Sequence, residues 1–375
     1  MWSVCFLQVA LGLQVAVGNS GNHPRPSAAE ELLRLGMAAE QRGDHASAIT
    51  DFRKALAIQP EMMKAHIGLG EALAAAGELD AAIAEDRRVL VAFPDNTEIR
   101  KSLAMAYYKK GDLAHAREEF ETVHAAIPLD VSTAVLLGYV YIKMGREADV
   151  LDLLTPLEAG HESNLDLEYV LAFAMIQSGR EAEGIPRMEK YALAKHSADA
   201  YVIAGSAHLH RREFREARTD FEAAIRLNPS LPNVHTLAGQ AQYALGDSET
   251  SIGSFQKALR ADPRDFTANL YLGILLLKKH DVENARPLLE LALELQPGVP
   301  LARLNMAELN ALTGKYEEAA KTLEDLERAD PDWPEPHIQL ATLYYKLHRP
   351  EDGKREREIV QQLEAKQQTE GPPDK

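Results

Sequence analysis

Small and large apolar residues recur along most of the chain with a period of 34 residues. Every step between equivalent positions is 34 residues except one of 33, so the phase is kept across the whole array. The first position of the successive units is occupied by Ala29, Met63, Thr97, Val131, Leu165, Ala198, Pro232, Phe266, Pro300 and Pro334. A fixed period of this length indicates one supersecondary unit repeated about ten times.

Within each unit the apolar pattern is that of two helices. Positions 4, 7, 8 and 11 are one or two helical turns apart, so they form a single packing face of a first helix. Position 8 is glycine or alanine in all ten units, position 20 is small in nine, and position 24 is large and apolar in eight. The small residues allow the two helices to approach closely, and the large residue fills the space beside the next unit. One unit cannot bury this face alone, so the core is expected to form by stacking.

Turn-forming residues mark the ends of both predicted helices. Glycine occupies position 15 in seven units, where a left-handed backbone conformation ends the first helix. Asp44, Asp112 and Asp247 follow directly as turn formers. Proline occupies position 32 in seven units, and it stops the second helix because it lacks an amide hydrogen. The pattern therefore predicts helix-turn-helix units joined by short connections.

These spacings resemble the tetratricopeptide repeat (TPR) family, whose pattern has small residues at 8 and 20, a large apolar residue at 24 and proline at 32. The resemblance covers residues 29–365 and implies an all-α fold, a right-handed superhelical α-solenoid of about ten repeats. Glu162 and His196 replace the proline in the fourth and fifth units, and we expect a hinge near 159–164. Arg357 replaces the large apolar residue in the tenth unit, as suits an outward-facing terminal cap.

The two ends of the chain do not follow the repeat. Residues 1–18 are mostly apolar and uncharged, which predicts a signal peptide cleaved after Gly18 and an exported bacterial protein, periplasmic or secreted. No lysine or arginine stands near the start, so an uncleaved membrane anchor and a cytoplasmic protein with a wrongly chosen start codon are the alternatives. We expect residues 19–28 to be a linker and residues 366–375 a disordered tail.

Composition narrows the class of partner. The chain carries 41 Lys and Arg against 57 Asp and Glu, a net charge of −16, which disfavours binding to a nucleic-acid backbone. Its single cysteine excludes a disulfide scaffold. We therefore expect other proteins or peptides as partners, no nucleic acid, and membrane contact only through an N-terminal anchor. The sequence leaves the oligomeric state open.

The candidate binding residues lie at positions 2, 5, 9, 12 and 13 of the first helix, which point away from its packing face. In TPR proteins these positions line a concave groove that binds peptides, and the resemblance implies the same role here. Apolar groups would contact the guest, and a row of donors at position 13, which also includes His210, Lys278 and Lys346, would pair with a carboxylate. The predicted groove residues are Met105, Tyr108, Lys109, Val135, Tyr139, Ile142, Lys143, Tyr169, Phe173, Ile176, Leu270, Ile274 and Leu277. The alternative is that the apolar groups pack against neighbouring helices.

Motifs that carry chemistry are sparse. The sequence has no glycine-rich phosphate loop, no His-Glu-x-x-His and no nucleophile elbow, so we expect no catalytic residues, no cofactor and no enzyme activity. His208 and His210 are the closest approach to a metal pair, but side chains two apart on a helix diverge, and we predict no metal site.

The leading hypothesis from the sequence is therefore a protein–protein interaction scaffold that binds polypeptide segments in the concave groove of a TPR solenoid. The alternative is a structural or assembly factor of a bacterial envelope complex. Such a factor would act through self-association or through its convex face.

Overall fold

The computed structural model describes the backbone of residues 27–370 and the side chains of residues 27–366. Over this range the chain forms twenty α-helices and one 3₁₀-helix, Thr155–Leu157, without a strand. The α-helices are α1 (Ala28–Gln41), α2 (His45–Ile58), α3 (Met63–Ala76), α4 (Leu79–Ala92), α5 (Thr97–Lys110), α6 (Leu113–Ala126), α7 (Val131–Lys143), α8 (Glu147–Leu154), α9 (Leu165–Gln177), α10 (Glu181–Lys195), α11 (Ala198–His210), α12 (Phe214–Leu227), α13 (Val234–Ala244), α14 (Ser248–Ala261), α15 (Phe266–Lys278), α16 (Val282–Leu295), α17 (Pro300–Leu312), α18 (Tyr316–Ala329), α19 (Pro334–Lys346) and α20 (Pro350–Glu370). The all-α prediction is confirmed.

The repeat frame is confirmed by the helix boundaries. Odd-numbered helices are the first helices of the repeats and even-numbered helices the second, and eight of the ten first helices begin at the predicted position 1. The seven glycines at position 15 all have positive φ, between 68° and 84°. Each second helix that precedes a position-32 proline ends two residues before it, as α2 does before Pro60. Local stereochemistry thus sets the length of both helices.

The core of several repeats is built on a close approach between a glycine at position 8 and the residue at position 24. A Cβ built on Gly36 would lie 2.6 Å from the Phe52 ring, and one on Gly239 would lie 2.7 Å from the Phe255 ring. Both phenylalanine rings are completely buried. The glycine is required because any side chain there would occupy the space that the ring fills.

Position 4 differs from its predicted role as part of an apolar packing face. In several repeats it is a polar residue that binds the carbonyl oxygen of the proline six residues earlier. His66 Nε2 lies 2.8 Å from the Pro60 oxygen, and Asn269 Nδ2 lies 3.0 Å from the Pro263 oxygen. Arg100 and His337 make the same contact with Pro94 and Pro331. This contact, here called the position-4 staple, ties the first helices of these repeats to the end of the preceding repeat.

The chain divides into two compact units, Met1–Met144 and Gly145–Lys375. The N-terminal unit contains α1 to α7, and the C-terminal unit contains α8 to α20. Within each unit the main packing joins consecutive helices and the first helices of successive repeats, such as α3 with α5 and α15 with α17. Each unit therefore has its own hydrophobic core.

The predicted hinge segment, 159–164, follows the shortest α-helix. Helix α8 has eight residues and continues into the 3₁₀-helix, and Gly160 then takes a φ of 83°. The boundary between the two compact units lies earlier, after Met144. The hinge stays a prediction.

The predicted terminal segments fall partly outside the described residues. Residues 1–26, which include the predicted signal peptide, lie outside them, and the export prediction stays a prediction. Helix α20 continues to Glu370, so the first part of the predicted tail is helical. Residues 371–375 lie outside the described range. None of the described helices is both long and apolar enough to cross a membrane.

Candidate functional site

In the N-terminal unit, α5 carries three predicted groove residues on its surface. Met105 and Tyr108 are half-buried, and Lys109 is exposed. Burial raises the pKa of the Tyr108 hydroxyl above its ordinary value. The phenol, like that of any unperturbed tyrosine, is neutral at physiological pH and can donate a hydrogen bond. An aromatic ring beside a cation offers a guest both an apolar contact and a charged one.

Helix α7 of the same unit keeps three of its four predicted groove residues at the surface. Tyr139 and Ile142 are half-buried and Lys143 is exposed. Val135 is buried, so its side chain belongs to the core and offers no surface to a guest.

In the C-terminal unit, α9 presents an aromatic cluster. Tyr169, Phe173 and Ile176 are half-buried and lie at i, i+4 and i+7, which is one face of the helix. The Tyr169 ring lies 6.5 Å from the Phe173 ring and 4.7 Å from the Tyr191 ring of α10. Tyr191 was not among the predicted residues, because it lies on the second helix of its repeat. The cluster rests on a buried core that includes Met188 and Ala200.

The three predicted groove residues of α15 are core residues. Leu270, Ile274 and Leu277 are at most 3% exposed and pack in one cluster with Leu289 of α16 and Leu309 of α17. For these three side chains, packing against neighbouring helices was the correct alternative. They cannot contact a guest without local unfolding.

Other exposed apolar side chains at groove positions were missed. Met37 of α1 stands at position 9, Leu312 of α17 at position 13, and Ile338 of α19 at position 5. The positional rule alone would have found them, but the predicted residues came only from the third, fourth, fifth and eighth repeats.

Some side chains of the predicted row of donors are exposed, and others bind a neighbouring residue of the chain. Lys109 and Lys143 are exposed, and within the described residues neither forms an ion pair. Lys278 Nζ instead donates to the Tyr243 hydroxyl at 3.1 Å and lies 5.0 Å from the centre of that ring. His210 is similarly engaged, with Nδ1 lying 3.0 Å from a Glu181 oxygen. The exposed lysines of the N-terminal unit are therefore the stronger candidates for binding a carboxylate.

Within the described part of the C-terminal unit, histidine and carboxylate side chains form two clusters. One is formed by Glu189, His208 and Asp220, and the other by Glu327, His337 and Glu356. In the first, burial raises the pKa of Asp220 to about 7. His208 lies beside these carboxylates, whereas His210 binds a different partner, so the two histidines diverge as expected of residues two apart on a helix.

Stacked helix pairs with small and aromatic residues in register define the class of protein as an α-helical repeat protein. Models described as tetratricopeptide repeat match residues 33–97, 176–232 and 236–300, and a second such model matches residues 276–341. Together these ranges span more than half of the chain. The chain belongs to the tetratricopeptide repeat family.

Similar curated proteins match only part of the chain. Anaphase-promoting complex subunit 3 of Schizosaccharomyces pombe is 24% identical over 150 residues, which cover 40% of this chain and 23% of that protein. A TPR repeat-containing thioredoxin of Arabidopsis thaliana is 30% identical over 119 residues, or 31% of this chain and 17% of that protein. A TPR repeat-containing protein of Pseudomonas aeruginosa is 32% identical over 111 residues, or 30% and 45%. The chain spans less than half the length of these relatives.

Solved structures share the fold at low identity. A tetratricopeptide repeat protein from Parabacteroides merdae has a TM-score of 0.51 and 17% identity, covering 67% of this chain and all of that one. The C-terminal part of a TPR repeat-containing protein from Cytophaga hutchinsonii has a TM-score of 0.51 and 17% identity, covering 63% and 97%. These similarities establish the fold alone.

Proposed function

We propose that this protein is an interaction scaffold that binds polypeptide segments on the exposed faces of its first helices. TPR repeats are protein–protein interaction modules, and the chain belongs to that family. The curated relatives include a protein named as a subunit of a multiprotein complex. The observation that carries the proposal is the presence of half-buried aromatic groups at groove positions in both compact units.

Tyr108 is the centre of the candidate surface in the N-terminal unit. Met105 lies one turn earlier on the same helix, and Lys109 follows next in sequence. A partially buried aromatic ring loses little side-chain entropy when a guest covers it, which makes it a good anchor. The neighbouring lysine would favour guests that carry a carboxylate next to an apolar side chain.

Phe173 is the centre of the candidate surface in the C-terminal unit. The Tyr169 ring supports it from the preceding turn, and Tyr191 holds Tyr169 from the neighbouring helix. Part of this apolar cluster is exposed to water. Binding of another molecule over it is favourable because it removes that apolar area from water. We infer that this surface binds an aliphatic or aromatic side chain of the guest.

Replacing Tyr108 and Phe173 together by alanine is expected to weaken partner binding at least about tenfold, because buried aromatic anchors carry much of the energy of such interfaces. The measurement is affinity capture of the full chain's partner from its native cells, identification by mass spectrometry, and titration of the purified partner. The helical circular dichroism signal should stay unchanged.

Val91→Ala and Leu193→Ala are the matched controls, because both side chains are apolar and exposed on second helices, one in each unit. They should leave binding intact. Retained binding by the Tyr108 and Phe173 double variant would overturn this site assignment, and a loss in the control variants alone would assign recognition to the second-helix face. A mass that climbs with concentration in light scattering would instead support the self-associating assembly factor.

A further inference from the structure

Three consecutive helices of the C-terminal unit bring the side chains of Glu189, His208 and Asp220 together. They come from α10, α11 and α12, respectively. His208 Nε2 lies 3.3 Å from Glu189 Oε1 and 3.8 Å from Asp220 Oδ2. One ligand-type atom from each of the three residues lies within 4.8 Å of the other two. Imidazole nitrogen and carboxylate oxygen are ordinary ligands of divalent first-row transition metals.

A fourth residue orients the imidazole ring of His208. Glu213 Oε2 lies 2.7 Å from His208 Nδ1 and accepts a hydrogen bond from that nitrogen. The other nitrogen, Nε2, faces Glu189 and Asp220, and without a proton it would have its lone pair available for a cation between them. A carboxylate that binds the distal nitrogen in this way is the usual outer partner of a metal-binding histidine.

Asp220 supplies independent support for a ligand. Its side chain is buried, with the residue 5% exposed, and its Oδ2 atom has no hydrogen-bond partner. That same oxygen is the one directed at His208 Nε2. A buried carboxylate oxygen without a donor calls for an explanation, and a cation between it and the imidazole would provide one.

We propose that Glu189 Oε1, His208 Nε2 and Asp220 Oδ2 bind one divalent transition-metal ion of the Zn²⁺ type, with water completing its coordination. Ligands at about 2.0–2.1 Å from a tetrahedral Zn²⁺ are about 3.3 Å apart, which is the spacing between Glu189 and His208. Asp220 Oδ2 has to move roughly half an ångström closer to His208 Nε2, and it has to come within about 3.3 Å of Glu189 Oε1, from which it now lies within 4.8 Å. The Glu189 side chain is 42% exposed, so the ion can reach the site from solvent.

The second histidine cluster differs from the first because both ring nitrogens of its histidine already have partners. There His337 Nδ1 lies 2.7 Å from Glu356 Oε2, a direct hydrogen bond, and Nε2 binds the Pro331 carbonyl at 3.1 Å. This is the position-4 staple with a carboxylate on its other side, as His66 makes with Pro60 and Glu85. It serves packing between repeats and includes no unpartnered buried carboxylate oxygen.

The proposed ion would strengthen a junction that lacks the usual contact. His196 stands where the repeat has proline, and the following position 4 is Tyr201. The proline-dependent staple is therefore missing between α10 and α11. An ion bound by α10, α11 and α12 would join the two repeats at this junction.

A proton on His208 Nε2 is the competing occupant. Burial lowers the pKa of His208, but its hydrogen bonds with Glu213 and Glu189 raise it more, so the net shift is upward. An imidazolium would also neutralise the surrounding carboxylates. The experiment must therefore separate a metal ion from a proton.

The test uses the full chain without an affinity tag, after a chelator has removed any bound metal. Zn²⁺ binding is measured by calorimetry, and Co²⁺ binding by visible absorption. We expect one ion per chain, with Co²⁺ bands of a nitrogen- and oxygen-bound ion. Asp220→Asn should lower the affinity at least about tenfold. This variant should still fold, because it replaces an unpartnered buried acid by a neutral group of the same shape.

His210→Ala is the matched control, since this exposed side chain lies on the same helix and outside the cluster. It should bind Zn²⁺ as the unmodified chain does. Zn²⁺ should also raise the melting temperature of the unmodified chain and of His210→Ala, but not of Asp220→Asn. Absence of Zn²⁺ binding by the unmodified chain, or equal affinity in Asp220→Asn, would overturn the proposal and leave a protonated histidine at this position. Partner binding does not enter this experiment.

Discussion

Position 15 takes a left-handed backbone conformation in all ten repeats, although only seven have glycine there. Arg212, His280 and His348 occupy it in the other three, with φ between 57° and 62°. A side chain in this region costs about 1 kcal/mol, which the packing of the flanking helices has to offset. The geometry of the repeat, and not the residue, decides the conformation at these three positions.

Asp86 is a further residue that departs from the repeat pattern, here through the burial of its side chain. It stands at position 24, where eight repeats have a large apolar side chain, and it is 1% exposed. Burial raises its pKa from 3.8 to about 7, despite a hydrogen bond with Ser102, and its Oδ2 atom has no hydrogen-bond partner. The folded N-terminal unit therefore favours the protonated acid.

The stability of the N-terminal unit should depend on this group. The unfolded chain releases the Asp86 proton above about pH 4, whereas the folded chain keeps it until about pH 7. The free energy of unfolding should therefore fall as pH rises through this window, and stay lower above it. Asp86→Asn removes the free-energy cost of burying an ionised carboxylate. It is expected to stabilise the protein by on the order of 2 kcal/mol at pH 8, and by much less at pH 4.

Urea denaturation of Asp86→Asn at the two pH values measures this difference. Asp95→Asn is the control, because Asp95 is exposed in the same unit. An Asp86→Asn effect of equal size at pH 4 and pH 8 would contradict the assigned burial of the charge.

At the scale of the elements, the distance between paired helices is set by position 8. Glycine there lets the first helix approach the aromatic ring at position 24, as Gly205 does with Phe221 and Gly239 with Phe255. Alanine at position 8 accompanies Met188 and Leu323 at position 24, and in the third repeat it accompanies Phe120. Alanine is therefore compatible with the fold, although a Cβ at Gly205 or Gly239 would lie too close to the ring as packed there.

Gly239→Ala and Gly253→Ala are expected to change stability in opposite directions. A Cβ on Gly239 would lie 2.7 Å from the Phe255 ring, so alanine should destabilise by about 1–3 kcal/mol through overpacking. A Cβ on Gly253, in the partner helix α14, meets no atom within 4 Å. Alanine there should stabilise by about 0.5–1 kcal/mol, because it lowers the entropy cost of forming the helix. Thermal denaturation of both variants checks this, and a change of the same sign would contradict the packing argument.

At the scale of the whole molecule, interactions are short-range along the chain. The main packing within each unit joins helices that are consecutive, or first helices of neighbouring repeats. Stability is then a sum of repeat and junction contributions, and a local defect should stay local.

Phe52→Ala and Leu323→Ala form a reciprocal pair that tests this locality. Both side chains are completely buried, one in the N-terminal unit and one in the C-terminal unit, and each truncation should cost about 2–5 kcal/mol. Hydrogen exchange measured by mass spectrometry should accelerate in α1 to α3 for Phe52→Ala and in α17 to α19 for Leu323→Ala. Equal acceleration in both regions by either variant would show that the chain unfolds as one cooperative body.

The sequence by itself determined the repeat, the helix boundaries and the family. Glycine at position 15, proline at position 32 and small residues at position 8 meet requirements that lie within one unit or its nearest neighbour. Such requirements are local, so they repeat visibly in the sequence. Tyr108 and Phe173 could be placed at the surface of first helices on the same basis.

Only the tertiary structure decided which groove positions are exposed and which distant groups meet. Leu270 and Phe173 follow the same positional rule, yet Leu270 is in the core and Phe173 is half-buried, because the neighbouring repeats supply different side chains around them. Glu189, His208 and Asp220 come together from three helices, and no spacing in so acidic a sequence distinguishes them. Burial and convergence depend on packing between elements, which the residues of a single repeat do not encode.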